Sequence, residues 1–290
     1  MDPVPVTVVT GFLGAGKTTL LNAWLGEYAR GDVAVIVNEL GDVGIDGELL
    51  RERARELVEI AGGCICCVTH EQLVRALHEL GAKRPQRIFV ETSGAASPAG
   101  VVRAIAGSDV RLDGIVTVVD SRRTTLSDLA VEQIGYADVV VLSRADLCDT
   151  TAMHARVGTL NPTAVLVTAP LTTSFDALLV QRNGELPAVS GSHESGIESL
   201  SLMLDGELDE ERFGDWVELE LAKYGGRILR MKGIVAMGGI DTRVILQGVA
   251  DQVEITFGAP WVGARSSRLV IVGFGLDRGE LADGFAACRA

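Results

Sequence analysis

A glycine-rich segment near the start of the chain has the residue types and spacing that bind phosphate groups. It reads GFLGAGKTT and fits the pattern G-x-x-x-x-G-K-[ST]. Backbone N–H groups of such a loop surround a β-phosphate, Lys17 bridges β- and γ-phosphate oxygens, and the Thr18 hydroxyl binds Mg²⁺. We therefore expect a bound nucleoside triphosphate. The loop residues assigned to it are Gly11, Gly14, Ala15, Gly16, Lys17, Thr18 and Thr19.

Three cysteines form a dense cluster at Cys64, Cys66 and Cys67, directly after two glycines. Packing alone explains this spacing poorly, whereas thiolates favour Zn²⁺, and Co²⁺ accepts the same tetrahedral geometry. We therefore expect a Zn²⁺ or Co²⁺ site in which three sulfurs leave one position open. Water or a side chain fills that position, and the candidates are Glu39, Asp42 and His70. A redox role for the C-x-x-C pair is the minority alternative.

Acidic residues that could serve a magnesium-dependent hydrolysis occur in two further segments. Glu91 ends an apolar run and is followed by Gly94, where a backbone N–H can approach a γ-phosphate. The stretch 38–46 carries Asp42 and Asp46 among flexible glycines and could order around Mg²⁺ and the γ-phosphate. We assign Thr18, Glu91 and Asp42 to Mg²⁺, and Lys17, Glu91 and Asp46 to catalysis. The alternative for these acids is a solvated loop.

A later segment indicates which base the protein selects. Ser143, Arg144 and Asp146 follow an apolar run in the pattern [N/S]-K-x-D, with arginine in place of lysine. An aspartate at this position accepts hydrogen bonds from N1–H and the exocyclic amine of guanine, and adenine offers no such pair of donors. Thr168, after the next apolar run, is placed where the backbone could reach guanine O6. The segment therefore predicts GTP rather than ATP.

Short apolar runs alternate with helical stretches as far as residue 170, which predicts a mostly parallel sheet flanked by helices. The stretch 181–195 is polar and contains glycine and proline, so we expect a linker there. Beyond it a strand, a helix, three strands around 228–236, 243–257 and 268–274, and a final helix predict a smaller α+β domain. We place the two domains at 1–185 and 195–290.

Bulk composition narrows the class of protein. The net charge of −13 argues against general binding to nucleic acid or to an anionic membrane. The longest apolar runs are too short to span a bilayer, and we see no secretory signal sequence. Five cysteines, three of them crowded together, do not form a disulfide framework. We expect a cytoplasmic protein that binds neither nucleic acid nor membrane.

Taken together, these motifs resemble those of the CobW-type metal-chaperone GTPases, relatives of the GTPases that mature urease and hydrogenase. The strings GFLGAGKTTLLN, NELGDVGID, GCICC, ETSG, VVD and YADVVVLSRADL occur in the family's order. Segments near 229–233, 247–249 and 267–270 resemble its C-terminal domain. The resemblance implies a P-loop GTPase domain that carries the cysteine motif, followed by a CobW-like domain. Because no histidine-rich stretch is present, it implies a carrier of one ion.

The motifs and the resemblance together predict a GTP-hydrolysing metallochaperone. GTP, Mg²⁺ and Zn²⁺ or Co²⁺ are its expected ligands, and an unidentified client metalloprotein or metal-cofactor enzyme is its expected partner. A homo-oligomer is compatible with the sequence. We expect slow intrinsic hydrolysis, because no arginine finger is evident within the chain. The alternatives are a non-catalytic GTP-gated metal sensor and, less favoured, a P-loop kinase.

Overall fold

A computed structural model describes residues 2–29, 32–37, 50, 52–54, 56–60, 69–171, 173–181, 190–192 and 196–290. The chain forms two compact units. The first comprises residues 1–157 and 164–183, and the second comprises residues 158–163 and 184–290. The domain limits expected from the sequence, 1–185 and 195–290, stay a prediction.

The first unit is built on a parallel sheet of seven strands in the order β3-β2-β4-β1-β5-β6-β7. Each neighbouring pair in this sheet is parallel. The strands are β1 (Val4–Thr10), β2 (Val33–Val37), β3 (Glu56–Glu59), β4 (Arg87–Glu91), β5 (Val110–Asp120), β6 (Val139–Ser143) and β7 (Val165–Thr168). Parallel strands bring their carboxyl ends to one edge, so this order places the ends of β1, β4, β5 and β6 side by side.

Valine and isoleucine dominate the central strands, and nearly every residue of β2 and β6 is buried. Burial on both faces requires helices on both sides, which explains why these strands lack alternation of polar and apolar residues. The helices are α1 (Lys17–Leu25), α2 (Thr69–Ala82), α3 (Ala99–Ala106), α4 (Asp128–Tyr136), α5 (Thr151–Leu160) and α6 (Phe175–Gln181). The predicted fold class is confirmed.

An aromatic cluster fixes α6 to the sheet and to α1. The Phe175 ring is fully buried, with its centroid 4.6 Å from that of Trp24 and 5.3 Å from that of Phe89. The guanidinium carbon of Arg87 lies 4.9 Å from the same centroid. The Phe175 N–H donates to a Glu27 carboxylate oxygen at 2.9 Å. Both ends of α1 are therefore held, one by the glycine-rich loop and the other by this cluster.

The second unit contains an antiparallel six-stranded sheet in the order β12-β11-β10-β13-β9-β8. Its strands are β8 (Ser190–Ser192), β9 (Ile197–Asp205), β10 (Ile228–Val235), β11 (Thr242–Val249), β12 (Gln252–Pro260) and β13 (Ser266–Phe274). Two helices, α7 (Glu210–Tyr224) and α8 (Arg278–Ala287), are capped by the side chains of Asp209 and Asp277. Apolar residues of both helices and of the sheet form one core.

Three details differ from the sequence expectation. The stretch 243–257 is not one strand: β11 and β12 form a hairpin that turns at Ala250 and Asp251. Ala250 has φ 53°, a conformation that Asn or Gly more often signals. The short strand β8 lies within the stretch expected as a linker, and β3, whose residues are only partly buried, was not predicted.

In the described part of the chain, no helix combines the length and the hydropathy needed to cross a membrane.

Replacement of Phe175 by alanine should destabilise the first unit by about 3–5 kcal/mol, because it removes a fully buried ring and leaves a cavity. Urea denaturation followed by circular dichroism measures the loss. Leu147→Ala is the matched control, because this side chain is 61% exposed. Equal midpoints for the two variants would contradict the anchoring role assigned to the aromatic cluster.

Candidate nucleotide and metal site

The glycine-rich loop joins β1 to α1 and depends on glycines at three positions. Gly11, Gly14 and Gly16 have φ values of 137°, 72° and 101°, which other residues rarely adopt. A Cβ atom at Gly11 would lie 2.3 Å from the carbonyl oxygen of Val118 on β5. The loop can therefore pass the neighbouring strand only because this residue has no side chain.

The Lys17 side chain folds back over the loop. Its Nζ donates to the carbonyl oxygens of Gly11 at 2.9 Å and Phe12 at 3.4 Å. Burial lowers the pKa of the Lys17 ammonium, and the nearby Glu91 carboxylate opposes that shift. A phosphate anion beside Nζ would favour the charged form. The assignment of Lys17 to phosphate binding stays a prediction.

The next three carbonyl groups of the loop are held by side chains that follow or end β5 and β6. The pairs are Arg123 to Leu13 at 3.4 Å, Arg144 to Gly14 at 2.9 Å, and Ser143 to Ala15 at 2.7 Å. A carbonyl group fixed in this way also fixes its peptide plane, and hence the direction of the following N–H group. The loop is thereby prepared to bind phosphate before any ligand arrives.

Thr18 and Glu91 form a pair of oxygen ligands suited to magnesium. The Thr18 hydroxyl donates to Glu91 Oε1 at 2.7 Å. Glu91 ends β4 and lies in register with Val9 on β1 and Val37 on β2. Mg²⁺ prefers hydroxyl and carboxylate oxygens of this kind beside a nucleotide phosphate. The two predicted magnesium ligands that the structure describes are therefore in contact.

Gly94 lies directly against the phosphate loop. A Cβ atom at Gly94 would be 2.4 Å from the backbone nitrogen and 2.6 Å from the Cα of Leu13. Only glycine permits this approach. The segment that follows Glu91 and the tip of the phosphate loop therefore meet at one place.

Asp120, at the end of β5, organises two arginines beside the loop. Its Oδ1 accepts from the backbone N–H and Nε of Arg122, each at 3.1 Å. Its Oδ2 accepts from Nη1 of Arg144 at 2.7 Å. The hydrogen bonds from Arg122 and the charge of Arg144 lower the pKa of the Asp120 carboxyl to about 2. Arg144 is thereby held between this carboxylate and the Gly14 carbonyl group.

A cavity of about 530 Å³ lies between α1 and the ends of β5, β6 and β7. Ser143 and Arg144 line it, as do Trp24 on α1 and the segment 169–171. A cavity of this volume matches small-molecule sites in proteins. The predicted base-binding residues Ser143 and Arg144 therefore border a space that could receive a nucleoside.

The other two predicted base contacts lie outside the cavity lining. Asp146 is exposed on a short 3₁₀ turn, Ala145–Leu147, directly after Arg144. Thr168 is exposed at the end of β7, and the N–H of the following Ala169 donates to the carbonyl oxygen of Leu142 at 2.8 Å. The Ala169 N–H, which was expected to reach guanine O6, therefore already has a partner within the sheet. Asp146 lies two residues after Arg144, which lines the cavity.

The predicted thiol site falls outside the described residues, as do Glu39, Asp42 and Asp46. His70, the described candidate for a fourth ligand, is exposed near the start of α2. Within the ranges given for the structure, no group of three or more histidine, cysteine or acidic side chains could hold a metal ion. The assignment of Cys64, Cys66 and Cys67 to a metal therefore stays a prediction.

Two family models cover most of the chain. The model described as "CobW/HypB/UreG, nucleotide-binding domain" matches residues 5–168. The chain belongs to the CobW/HypB/UreG family. A second model, "Cobalamin synthesis protein cobW C-terminal domain", matches residues 197–289. The family expected from the sequence motifs is confirmed, and with it a P-loop GTPase domain.

Individual members of the family resemble the chain along its length. The zinc chaperone YjiA of Escherichia coli is 30% identical over 317 residues, and 100% of each chain is covered. The zinc chaperone CobW of Pseudomonas aeruginosa is 32% identical, with 97% of this chain and 90% of the relative covered.

The fold also matches crystal structures of E. coli YjiA. The structure of the Zn(II)-bound YjiA GTPase has a TM-score of 0.75 and 25% identity, and 100% of each chain is covered. A triple mutant of YjiA, in which one glutamate and two cysteines are replaced by alanine, was also crystallised with Zn(II) bound.

Sequence reasoning missed two residues of this site, Asp120 and Arg123. Each residue acts through a contact with a residue that is distant in the sequence. Arg144 contacts Asp120 across 24 residues, and Arg123 contacts Leu13 across 110. The available signal was the position of three polar residues, 120, 122 and 123, at the carboxyl end of a buried strand. In parallel sheets that edge carries the ligand site.

Replacement of Gly94 by alanine should lower nucleotide affinity at least tenfold, about 1.4 kcal/mol. The added Cβ would overlap the Leu13 backbone and displace the loop tip. Isothermal titration with GDP and a non-hydrolysable GTP analogue measures the effect. Gly158→Ala is the control, because nothing lies within 4 Å of the Cβ position there. Unchanged affinity in Gly94→Ala would show that the loop tip tolerates displacement.

Proposed function

We propose that this chain is a GTP-hydrolysing metallochaperone that binds Zn²⁺ or Co²⁺ at Cys64, Cys66 and Cys67 and delivers it to a client protein or cofactor pathway. The observation that carries the proposal is the contact between Thr18 and Glu91 at the mouth of a pre-formed phosphate loop. The names of the relatives, zinc chaperone in both bacteria, support the metal cargo. The client is a metalloprotein or a metal-cofactor enzyme.

Each of the assigned residues has a separate role in binding and hydrolysing a triphosphate. Lys17 neutralises the β- and γ-phosphate oxygens, and the loop N–H groups donate to the β-phosphate. Thr18, Glu91 and Asp42 would hold Mg²⁺, which when bound offsets charge on the β- and γ-oxygens. Gly94 presents its backbone to the γ-phosphate, and Asp46 belongs to the segment assigned to catalysis.

Guanine is selected at the edge of the 530 Å³ cavity. Arg144 can lie along a purine face while its guanidinium keeps the contact with Gly14. Asp146, two residues further along the chain, is exposed. Its carboxylate would accept from N1–H and the exocyclic amine of guanine.

We expect GTP to bind at least tenfold more tightly than ATP, about 1.4 kcal/mol. Asp146→Asn should remove this preference, because an amide cannot accept from both guanine donors, while phosphate affinity stays. Competition titrations with both triphosphates measure it, and Asp149→Asn, an exposed carboxylate three residues away, is the control. Equal binding of ATP and GTP by the unaltered protein would contradict the guanine assignment.

The topology of the sheet supports coupling between nucleotide and metal. The segment 38–46 follows directly from β2, and the cysteine segment follows β3. Val37, the last residue of β2, lies in register with Glu59 on one side and Glu91 on the other. The N–H of Ile60 donates to the Val37 carbonyl oxygen at 2.9 Å. Both segments therefore leave the sheet at the edge where Glu91 ends β4.

Nucleotide state then sets metal affinity, because GTP orders residues that adjoin the thiols and GDP leaves them in another arrangement. Linkage requires the converse effect of metal on nucleotide affinity. A non-catalytic metal sensor would show the same coupling without turnover, so hydrolysis measured with and without metal separates the two. A kinase is disfavoured by membership in this family.

Metal binding provides the direct test. With GTP and Mg²⁺ present under reducing conditions, one equivalent of Co²⁺ should give intense thiolate-to-metal absorption in the near ultraviolet. Cys66→Ser and Cys67→Ser should lose this absorption yet still bind GTP. Affinity should weaken as pH falls, because each thiolate loses a proton to bind. With GDP in place of GTP, affinity should change by about 1–3 kcal/mol.

The control is Cys148→Ser, since Cys148 lies in the loop after Arg144, away from the cluster in sequence. Sulfur-specific absorption is the required readout, because a relative's variant lacking two cysteines still crystallised with zinc. Total metal content therefore does not locate the cargo site. An unchanged spectrum in the Cys64→Ser, Cys66→Ser and Cys67→Ser variants would overturn the chaperone proposal.

A further inference from the structure

Three arginines lie beside the phosphate loop, and one of them differs from the others. Arg122 and Arg144 both bind the carboxylate of Asp120. Arg123 makes no contact with a carboxylate in the described part of the chain. Its guanidinium contacts the Leu13 carbonyl oxygen and the ring of Phe12, both in the loop. Its positive charge is therefore directed at the loop, with no acid paired to it among the described residues.

The contacts of Arg123 are weak enough to be exchanged. Nη2 lies 3.4 Å from the Leu13 oxygen, beyond the usual range for a strong N–H···O bond. The guanidinium carbon lies 4.4 Å from the centre of the Phe12 ring, in a cation–π contact at an exposed site. Such contacts hold the side chain near the loop tip without committing its donors.

The backbone that carries Arg123 is fixed more firmly than the side chain. The Arg123 N–H donates to the Asp120 carbonyl oxygen at 3.1 Å, which closes a turn directly after β5. β5 pairs with β1 as far as Thr10, the residue before the loop, with one register shift between Val6 and Thr7. The turn and the phosphate loop are thus anchored to adjacent strands, and the distance between them is set by the sheet.

The loop tip that Arg123 contacts is the end at which a γ-phosphate would lie. Leu13 meets Gly94, which lies three residues after the end of β4, and Lys17 reaches the carbonyl groups of Gly11 and Phe12. Two groups assigned to the γ-phosphate, Lys17 and Gly94, therefore lie against the tip. The guanidinium of Arg123 contacts the same part of the loop, at Phe12 and Leu13.

We propose that Arg123 is a catalytic arginine, supplied within the chain, that leaves the Leu13 carbonyl oxygen and binds the γ-phosphoryl group of GTP during hydrolysis. The inference rests on the proposed GTPase function and adds a residue to it. It revises the sequence expectation that no arginine finger is evident. Motif spacing does not detect it, because Arg123 lies three residues beyond the VVD string that ends β5 and belongs to none of the motifs.

In the reaction, the oxygen of water bonds to the γ-phosphorus as the bond from that phosphorus to the bridging oxygen breaks. The electron pair goes to the β-phosphate of GDP, and the water protons pass to inorganic phosphate and solvent. Arg123 stays protonated throughout and donates hydrogen bonds to the phosphoryl oxygens, where negative charge shifts in the transition state. Its contribution is larger there than in the ground state.

The test compares Arg123→Ala, Arg123→Lys and Arg156→Ala in single-turnover hydrolysis at saturating GTP. Arg156 is the matched control: it is an exposed arginine whose Nη1 donates to a backbone carbonyl oxygen, that of Thr124, also at 3.4 Å. We expect Arg123→Ala to lower the hydrolysis rate about 10²–10³-fold. Arg123→Lys should recover part of the rate, because it keeps a cation, and Arg156→Ala should match the unaltered protein.

Affinities for GDP and for a GTP analogue, measured by titration, separate catalysis from loop support. We expect Arg123→Ala to change GDP affinity less than threefold, about 0.6 kcal/mol. An unchanged rate with GDP and GTP affinities lowered together would show that Arg123 only holds the loop, and would overturn the proposal. If the unaltered protein binds GTP without hydrolysing it, the proposed GTPase function is refuted. If the unaltered protein is active and Arg123→Ala hydrolyses GTP at the same rate, only the catalytic role of Arg123 is refuted.

Discussion

The phosphate loop depends on hydrogen bonds that its own carbonyl groups accept from side chains elsewhere in the first unit. Ser143 and Arg144 reach the loop from the end of β6, whereas the longer contact of Arg123 with Leu13 can be exchanged. Glycines at positive φ give the loop its path, but glycines also make it flexible. The anchoring side chains offset that flexibility, so the sheet rather than the loop sequence determines where the N–H groups point.

Charge is distributed unevenly around this loop. The chain carries a net charge of −13, yet Lys17, Arg123 and Arg144 converge on one short segment. Asp120 keeps Arg144 in place, and its pKa of about 2 means that this ion pair contributes stability above pH 3.8, the ordinary value, and loses it as pH falls through about 2. Loop anchoring is therefore insensitive to pH near neutrality. Sensitivity at high pH enters through Lys17, whose pKa burial lowers.

Residues that act within one short segment were predictable from the sequence, whereas residues that act across strands were not. The loop, its flanking strand and helix, and the Glu91 strand end each carry a local pattern, and the structure brings Thr18 and Glu91 together. The contact of Asp120 with Arg144 requires the register of β5 against β6, which pairs Asp120 with Ser143. No local pattern specifies that register.

The β11–β12 hairpin was missed for a different reason, since Ala250 adopts a left-handed conformation without the glycine or asparagine that usually marks such a turn.

The order of strands suits the proposed control of metal binding by the nucleotide. Neighbouring strands lie about 4.8 Å apart, so the ends of β3 and β4 are separated by about two such spacings, with β2 between them. A displacement at Glu91 has a short path through Val37 to the residue from which the cysteine segment departs, because both pairings are in register. Gly94 links the loop tip to the segment after β4, because it packs so closely on Leu13 that even a Cβ atom there would lie 2.4 Å from the Leu13 nitrogen. Loss of a γ-phosphate at the tip would therefore act on β4 first. β2, which adjoins β4, and β3, which adjoins β2, precede the two segments whose arrangement must change if metal affinity is to differ between GTP and GDP.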